Sequence, residues 1–318
     1  MTTTNSQEDI HPDERILDEE STPVRVMQEG DLPALLALDA KTSGHSRKTY
    51  LEEKFAACVR EPGLNTSLVA EHDGRPAGFL MGRLFFGEFG IPSTRAVLDT
   101  LGVDPTLQRQ NIGQALLRQY QRNMAALRVE AIDTLVDWDR SDLLTFFKSV
   151  GFKPSRDVDL AWDLEKYPFE GSGGKAKVRT AWEADLERVV EIDEGVTGNS
   201  RSGYIAKRAQ AASERPERNR FLVAELDGQV VGYMVARLFS GEFGIDELRG
   251  VIEAFAVDEH FGHQGVASAM VEELLTWLQD SQVKRMETLV HWNNWGLLRF
   301  FEYIGFRPTA RINLEWRF

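Results

Sequence analysis

One cysteine, six histidines, a deficit of basic residues and no long apolar run are the shortages of this 318-residue chain. Each removes a class of explanation. Cys58 alone cannot close an internal disulfide, so the fold rests on its cores and the expected compartment is a reducing cytoplasm. Leu51, Phe55 and Ala56 place Cys58 on a helix face with a packing role. The histidines form no His-Glu-x-x-His helix, and no Gly-x-Ser-x-Gly elbow is present, which speaks against a zinc protease or a serine hydrolase. His260 and His263 are only two donors near one turn, so no metal is expected. Lys and Arg number 37 against 50 Asp and Glu, a net charge of −13, which disfavours nucleic acid and leans towards amine-bearing partners. No stretch approaches the ~20 apolar residues of a membrane span, and the opening Met1 to Asp9 has neither the basic start nor the apolar run of a signal peptide.

What the chain does contain is itself, twice. At a constant offset of 154 positions Val24–Trp162 lies over Val178–Trp316 without a gap, Val103 falling on Val257 and Val150-Gly151-Phe152 on Ile304-Gly305-Phe306. A period this long exceeds that of solenoid repeats, so each copy is expected to be a complete domain. The reading is an acidic, disordered tail over 1–21, an N-terminal domain over 22–165, a Pro/Gly/Ser linker over 166–177 and a C-terminal domain over 178–318. A homo-oligomer is compatible with this layout.

Both copies show the same order of elements. A short strand at Val24 precedes a helix marked by Leu32, Leu35, Leu36 and Leu38, then a Gly-x-Ser-Arg-x-x-Tyr loop and a second helix. Asp73-Gly74 and Asp227-Gly228 sit between apolar runs as hairpin turns. A strand ending at Val103 (Val257) runs into a polar turn that opens a helix at Ile112 (Val266); a strand, a helix and a last strand follow. Strands and helices in this order predict an α+β (α/β layered) fold, a mixed sheet flanked by helices in each copy.

The turn after Val103 holds the most chemistry. A strand feeding a helix through small and polar residues leaves the first amides of the helix without intrahelical partners, and such amides at the positive end of a helix dipole bind phosphate. The same pattern also describes an ordinary strand-to-helix turn. Taken with the later helix ending Phe146-Phe147-Lys148-Ser149-Val150-Gly151-Phe152, it resembles the GNAT superfamily of acyl-CoA-dependent N-acyltransferases over nearly all of both repeats. The family's loop, Arg or Gln, two residues, Gly, one residue, Gly or Ala, is matched by Gln108-x-x-Asn111-x-Gly113 and by Gly262-x-x-Gly265-x-Ala267, each with one departure. The tandem arrangement is similar in layout to mycothiol synthase.

That resemblance implies acetyl-CoA as co-substrate and an N-acetyltransferase acting on an amine-bearing small molecule or protein. A catalytically degenerate acyl-CoA sensor or interaction protein is the alternative. It places the coenzyme at Val103, Gln108, Arg109, Asn111, Ile112 and Gly113, and at Val257, Gly262, His263, Gly265, Val266 and Ala267, with Asn294 at the start of the last helix where the first copy has Arg140. The tyrosine that commonly protonates the departing thiolate is replaced by Phe147 and Phe301. Gly265, Ala267 and Asn294 favour the second copy as the working one.

Asp99 and Glu253, carboxylates on otherwise apolar strands, are the first candidates for a general base with a raised pKa, and Asp137 and His291 at the end of the next strand are the second. Arg47 and Arg201 are candidates to hold an acceptor carboxylate or to form helix-start ion pairs, with Tyr50 and Tyr204 in the same loops. Glu88 and Glu242, in identical Gly-Glu-Phe-Gly-Ile turns, are read as substrate contacts or as backbone acceptors. Trp138, Trp292 and Trp295 are read as an acceptor wall or as core.

Overall fold

A computed structural model describes residues 22–60, 66–169, 171, 174–240, 242–245 and 247–318, without the side chains of 57–60. The expected tail over 1–21 and the packing of Cys58 fall outside the described residues. The first copy contains β1 (Val24–Val26), α1 (Leu32–Ser43), α2 (Lys48–Arg60), β2 (Ser67–His72), β3 (Arg75–Phe86), β4 (Thr94–Val103), α3 (Ile112–Ala126), β5 (Ala131–Asp137), α4 (Ser141–Ser149), β6 (Lys153–Pro154) and β7 (Asp157–Asp163). The second contains β8 (Lys177–Thr180), α5 (Leu186–Thr197), α6 (Ser202–Glu214), β9 (Asn219–Leu226), β10 (Gln229–Phe239), β11 (Arg249–Val257), α7 (Val266–Asp280), β12 (Arg285–His291), α8 (Trp295–Ile304), β13 (Arg307–Pro308) and β14 (Arg311–Arg317).

Local chemistry sets these limits. α1 and α5 stop at Gly44 and Gly198, whose φ of 78° and 71° is left-handed and favours glycine. Asp73-Gly74 and Asp227-Gly228 both take positive φ, as the expected two-residue hairpins require.

Two mixed seven-stranded sheets result, ordered β1-β2-β3-β4-β5-β14-β6 and β13-β7-β12-β11-β10-β9-β8. The last strands are exchanged. β7 pairs antiparallel with β12 of the second sheet, Asp157 opposite His291, while β14 pairs with β5 of the first, Arg311 opposite Asp137. Each sheet therefore carries one strand of the other copy, and the repeat units of the sequence are not the units of hydrogen bonding.

On one face of the first sheet Leu68, Leu80, Leu98 and Ile132 pack with Leu116, Leu117 and Tyr120 of α3 and Phe147 of α4. On the other, Val69, Phe79 and Met81 pack with Leu35, Leu38 and Leu51 of α1 and α2. Burying each large apolar side chain contributes about 1.5–3 kcal/mol. The second sheet repeats both layers with α7 and α8 on one face and α5 and α6 on the other.

Two irregularities open the middle of each sheet. β4 and β5 pair in parallel only from Arg95↔Ala131 to Val97↔Asp133, and β11 and β12 only at Gly250↔Met286 and Val251↔Glu287, after which the strands part. β4 also bulges: Met81 faces Thr100 but Gly82 faces Leu98, so Asp99 is the extra residue, and Glu253 is its counterpart between Ile252 and Ala254.

Candidate active site

The two strand-to-helix turns share one backbone. Arg109 and Asn111 have φ of 66° and 60°; His263 and Gly265 have 60° and 77°. Left-handed residues at alternate positions turn neighbouring amides towards one side, forming a concavity suited to an anion. Asn111 and Gly265 are the N-caps of α3 and α7, and neither helix receives a side-chain cap, so the first amides are left for a ligand or water. Asn111 departs from glycine at a smaller penalty than most residues because asparagine tolerates this conformation, and its side chain is exposed. Ile112 and Val266 bury their side chains in the core, which anchors the helix and leaves only their backbone to the turn. A Cβ on Gly113 would lie 3.5 Å from the Phe146 ring and 3.7 Å from Val103, so this position faces the groove between α3 and α4.

The last helices carry no acid at the expected place. Phe147 and Phe301 are buried core residues. Tyr303 is exposed on the far side of α8, its ring edge-on to Phe169. Asn294 accepts a hydrogen bond from the Leu297 amide at 3.2 Å and so caps α8, whereas Arg140 pairs with Asp142 at 2.8 Å. The Asn294 carboxamide is engaged by its own helix.

Asp99 and Glu253 do not stand among apolar neighbours, which corrects the first choice of base. They lie at the centre of an ion network joining the two halves. Asp99 pairs with Lys54, with Arg83 at 3.9 Å; Glu253 pairs with Arg237 and with Arg208 at 2.9 Å. Lys54 reaches across to Glu242 at 3.1 Å, and Arg208 reaches back to Glu88. The side chains of Asp99 and Glu253 are wholly buried. Burial raises the Asp99 pKa, as expected, but the Lys54 ammonium occupies its carboxylate. For Glu253, burial opposes the guanidinium groups of Arg208, Arg237 and Arg83, and the net shift is downward, the reverse of what a base needs. Sequence reasoning missed this network because Asp99 and Glu253 meet partners from separate elements of their own copies, and the links from Lys54 to Glu242 and from Arg208 to Glu88 join different copies. The one available signal was that Lys54, Arg83, Glu88 and Asp99 align with Arg208, Arg237, Glu242 and Glu253 in charge.

The acceptor candidates are mostly structural. Arg47 forms a buried fork on Asp39, and Arg201 does the same on Asp193 while also donating to the Gly87 carbonyl of the other half. Neither guanidinium is available to a substrate carboxylate; the ion-pair alternative is what the fold adopts. Tyr50 and Thr100 share a 2.7 Å hydroxyl hydrogen bond, and the Tyr204 hydroxyl is buried without a partner among the described residues. Glu88 accepts from the Phe86 amide at 2.7 Å and, with Glu242, belongs to the interface. Trp138, Trp292 and Trp295 are 69%, 52% and 62% exposed, so they are neither core nor a closed wall. Asp137 is exposed at the open end of β5, and half-buried His291 contacts Asn293 through Nδ1 at the end of β12.

Between the halves, Phe85, Val97 and Leu135 face Phe239, Val251 and Leu289 across a cavity of about 60 Å³. Its walls include Thr134 and Thr288, the residues at which the parallel strands begin to separate, and both threonines donate across that gap, to the Leu98 and Ile252 carbonyls at 3.0 Å. The strand-to-helix turns and α3 and α7 lie on the opposite faces of the sheets. Each splay thus has an uncapped helix N-terminus on one side and this shared cavity on the other.

The model of the acetyltransferase (GNAT) family matches residues 32–152 and again 186–306. Among solved structures the chain is similar to a GCN5-related N-acetyltransferase from Sphaerobacter thermophilus, with 18% identity, 94% of this chain and 96% of that one covered and a TM-score of 0.64. A putative acetyltransferase from Pyrococcus horikoshii aligns at 16% identity over 98% and 94% with a TM-score of 0.58. A tandem GNAT protein from the clavulanic acid biosynthesis pathway aligns at 17% over 79% and 82% with a TM-score of 0.55. No curated protein matches the sequence.

Proposed function

Since the chain belongs to the acetyltransferase (GNAT) family, we propose that it moves an acetyl group from acetyl-CoA to an amine, carried by a small molecule or a protein, by direct attack in a ternary complex. The observation that carries this reading is the meeting of an uncapped helix N-terminus with the parting of two parallel strands. The turn takes the diphosphate, and the thioester reaches the gap, where β4 amides beyond Leu98 have no parallel neighbour and can donate to the oxyanion. The amine approaches from the cavity between the halves.

The chemistry balances without a protein nucleophile. An aliphatic ammonium of pKa near ~10.4 is neutral in about one molecule in 10³ at pH 7, so it first releases a proton. The free amine attacks the thioester carbon, the C–N bond forms, the C–S bond breaks, and the remaining surplus N–H proton ends on the departing sulfur. A thiol pKa near ~8.5 makes this a fair leaving group, consistent with phenylalanine at both places where an acid would stand. Asp137 and His291 are the proton-handling candidates left at the mouths of the splays.

The test is thiol release. With acetyl-CoA, a thiol reagent and a panel of arylamines, amino acids, polyamines and lysine peptides, free coenzyme should appear only when an acceptor is present. Coenzyme binding with no acceptor-dependent release from any amine would favour the acyl-CoA sensor instead.

A further inference from the structure

Resting on the proposal that the chain binds acetyl-CoA, we infer that the coenzyme occupies only the first half, and that the second half's turn is held by the linker between the copies.

Charge is the first reason. α3 contains Arg118 and Arg122 and no acidic residue, whereas α7 contains Glu272, Glu273 and Asp280 and no basic one. The turns add Arg109 to the first half and His263 to the second. Coenzyme A brings a diphosphate and a 3′-phosphate, so a helix bearing cations attracts it and one bearing anions repels it. The reversal is sharpest where Arg118 of α3 aligns with Glu272 of α7: Arg118 is exposed and bonded to Gln114 at 2.9 Å, while Glu272 keeps a buried carboxylate oxygen without a hydrogen bond.

Packing is the second. The chain leaving β7 is tied down by a hydrogen bond from Trp162 Nε1 to the Tyr167 carbonyl at 2.7 Å and by Phe169, edge-on to Trp162 and Tyr303. Gly171 then lies so close to Glu272 that a Cβ would fall 1.9 Å from its carboxylate oxygen, and Gly174 so close to Gly265 that a Cβ would fall 2.6 Å from its carbonyl. Two described linker residues therefore lie against α7, Gly171 at its second turn and Gly174 at its N-cap. Ser268 in the first turn of α7 is buried, whereas Gln114, its counterpart in α3, is half-exposed. Phe255 of β11 stacks on Phe300 of α8 at 5.0 Å; the first half has Leu101 where Phe255 stands. These contacts reverse the preference for the second copy drawn from Gly265, Ala267 and Asn294.

Calorimetric titration of the full chain with acetyl-CoA tests the assignment. One site per chain is expected. Gly113→Glu, which sets a carboxylate in the first groove, should abolish binding without unfolding the protein, and Arg118→Glu should weaken it at least tenfold. Ala267→Glu in the second turn should leave stoichiometry and affinity unchanged. Two sites in the wild type, or a single site lost with Ala267→Glu and retained with Gly113→Glu, would overturn the assignment. Absence of heat from the wild-type chain would instead remove the coenzyme reading on which it rests.

Discussion

Glu88 of the first half accepts a hydrogen bond from Arg208 of the second, and its counterpart Glu242 pairs with Lys54, the counterpart of Arg208, at 3.1 Å. The two links are images of each other and bracket Asp99 and Glu253. Removing one member of a buried ion pair typically costs about 3–5 kcal/mol, because the remaining charge stays buried. Here Arg208 keeps Glu253, so Glu88→Ala should cost about 2–3 kcal/mol. A double-mutant cycle of Glu88→Ala with Arg208→Ala, followed by urea unfolding, should give a coupling above about 1 kcal/mol. Simple additivity of the two changes would mean that the link contributes nothing.

Deleting residues 309–318 should injure the half to which they do not belong in sequence. β14 is the neighbour of β5, so its loss leaves Ala131–Asp137 as an open edge, while β12 keeps β7. Hydrogen exchange should rise over 131–137 far more than over 285–291, and the truncated chain should self-associate on a sizing column. Equal deprotection of both strands would contradict the exchanged pairing.

Asp159 makes stability depend on pH in a calculable direction. Burial, opposed by the Arg311 guanidinium at 2.7 Å, moves its carboxyl up to about 6 from an unfolded value near 3.8. A carboxyl raised on folding favours the folded state when protonated, so its contribution is complete below about pH 4 and is lost as pH climbs through about 6. The corresponding residue of the second copy is already Asn313. Asp159→Asn should therefore be relatively more favourable at pH 7.5 than at pH 4.5, by up to about 2 kcal/mol, in paired urea titrations. Arg311 retains Glu287 at 2.8 Å, so its charge is not orphaned. A difference that does not change with pH would show that Asp159 ionises as freely folded as unfolded.

Much of this was readable along the chain because it depends on near neighbours. The offset of Val103 on Val257, the hairpins at Asp73-Gly74 and Asp227-Gly228, and the helices opening at Ile112 and Val266 follow from periodicity, turn residues and repetition, and the structure reproduces them. The turn between Val103 and Ile112 belongs to the same class, for Arg109 and Asn111 take the left-handed φ that His263 and Gly265 take in the second copy.

Tertiary structure decided what those pieces face. An aspartate on an apolar strand reads as a poised base until Lys54, forty-five positions away, is brought onto it. Arg201 reads equally as a substrate clamp or a helix-start ion pair until Asp193 and a carbonyl of the other copy claim it. Residues Asp157–Asp163 align with Arg311–Arg317, yet the alignment gives no sign that the two strands trade sheets, because both choices make the same hydrogen bonds with near-identical partners. Repetition along a chain determines which elements form; only distance in three dimensions determines which charges are neutralised and which turn stays open to a ligand.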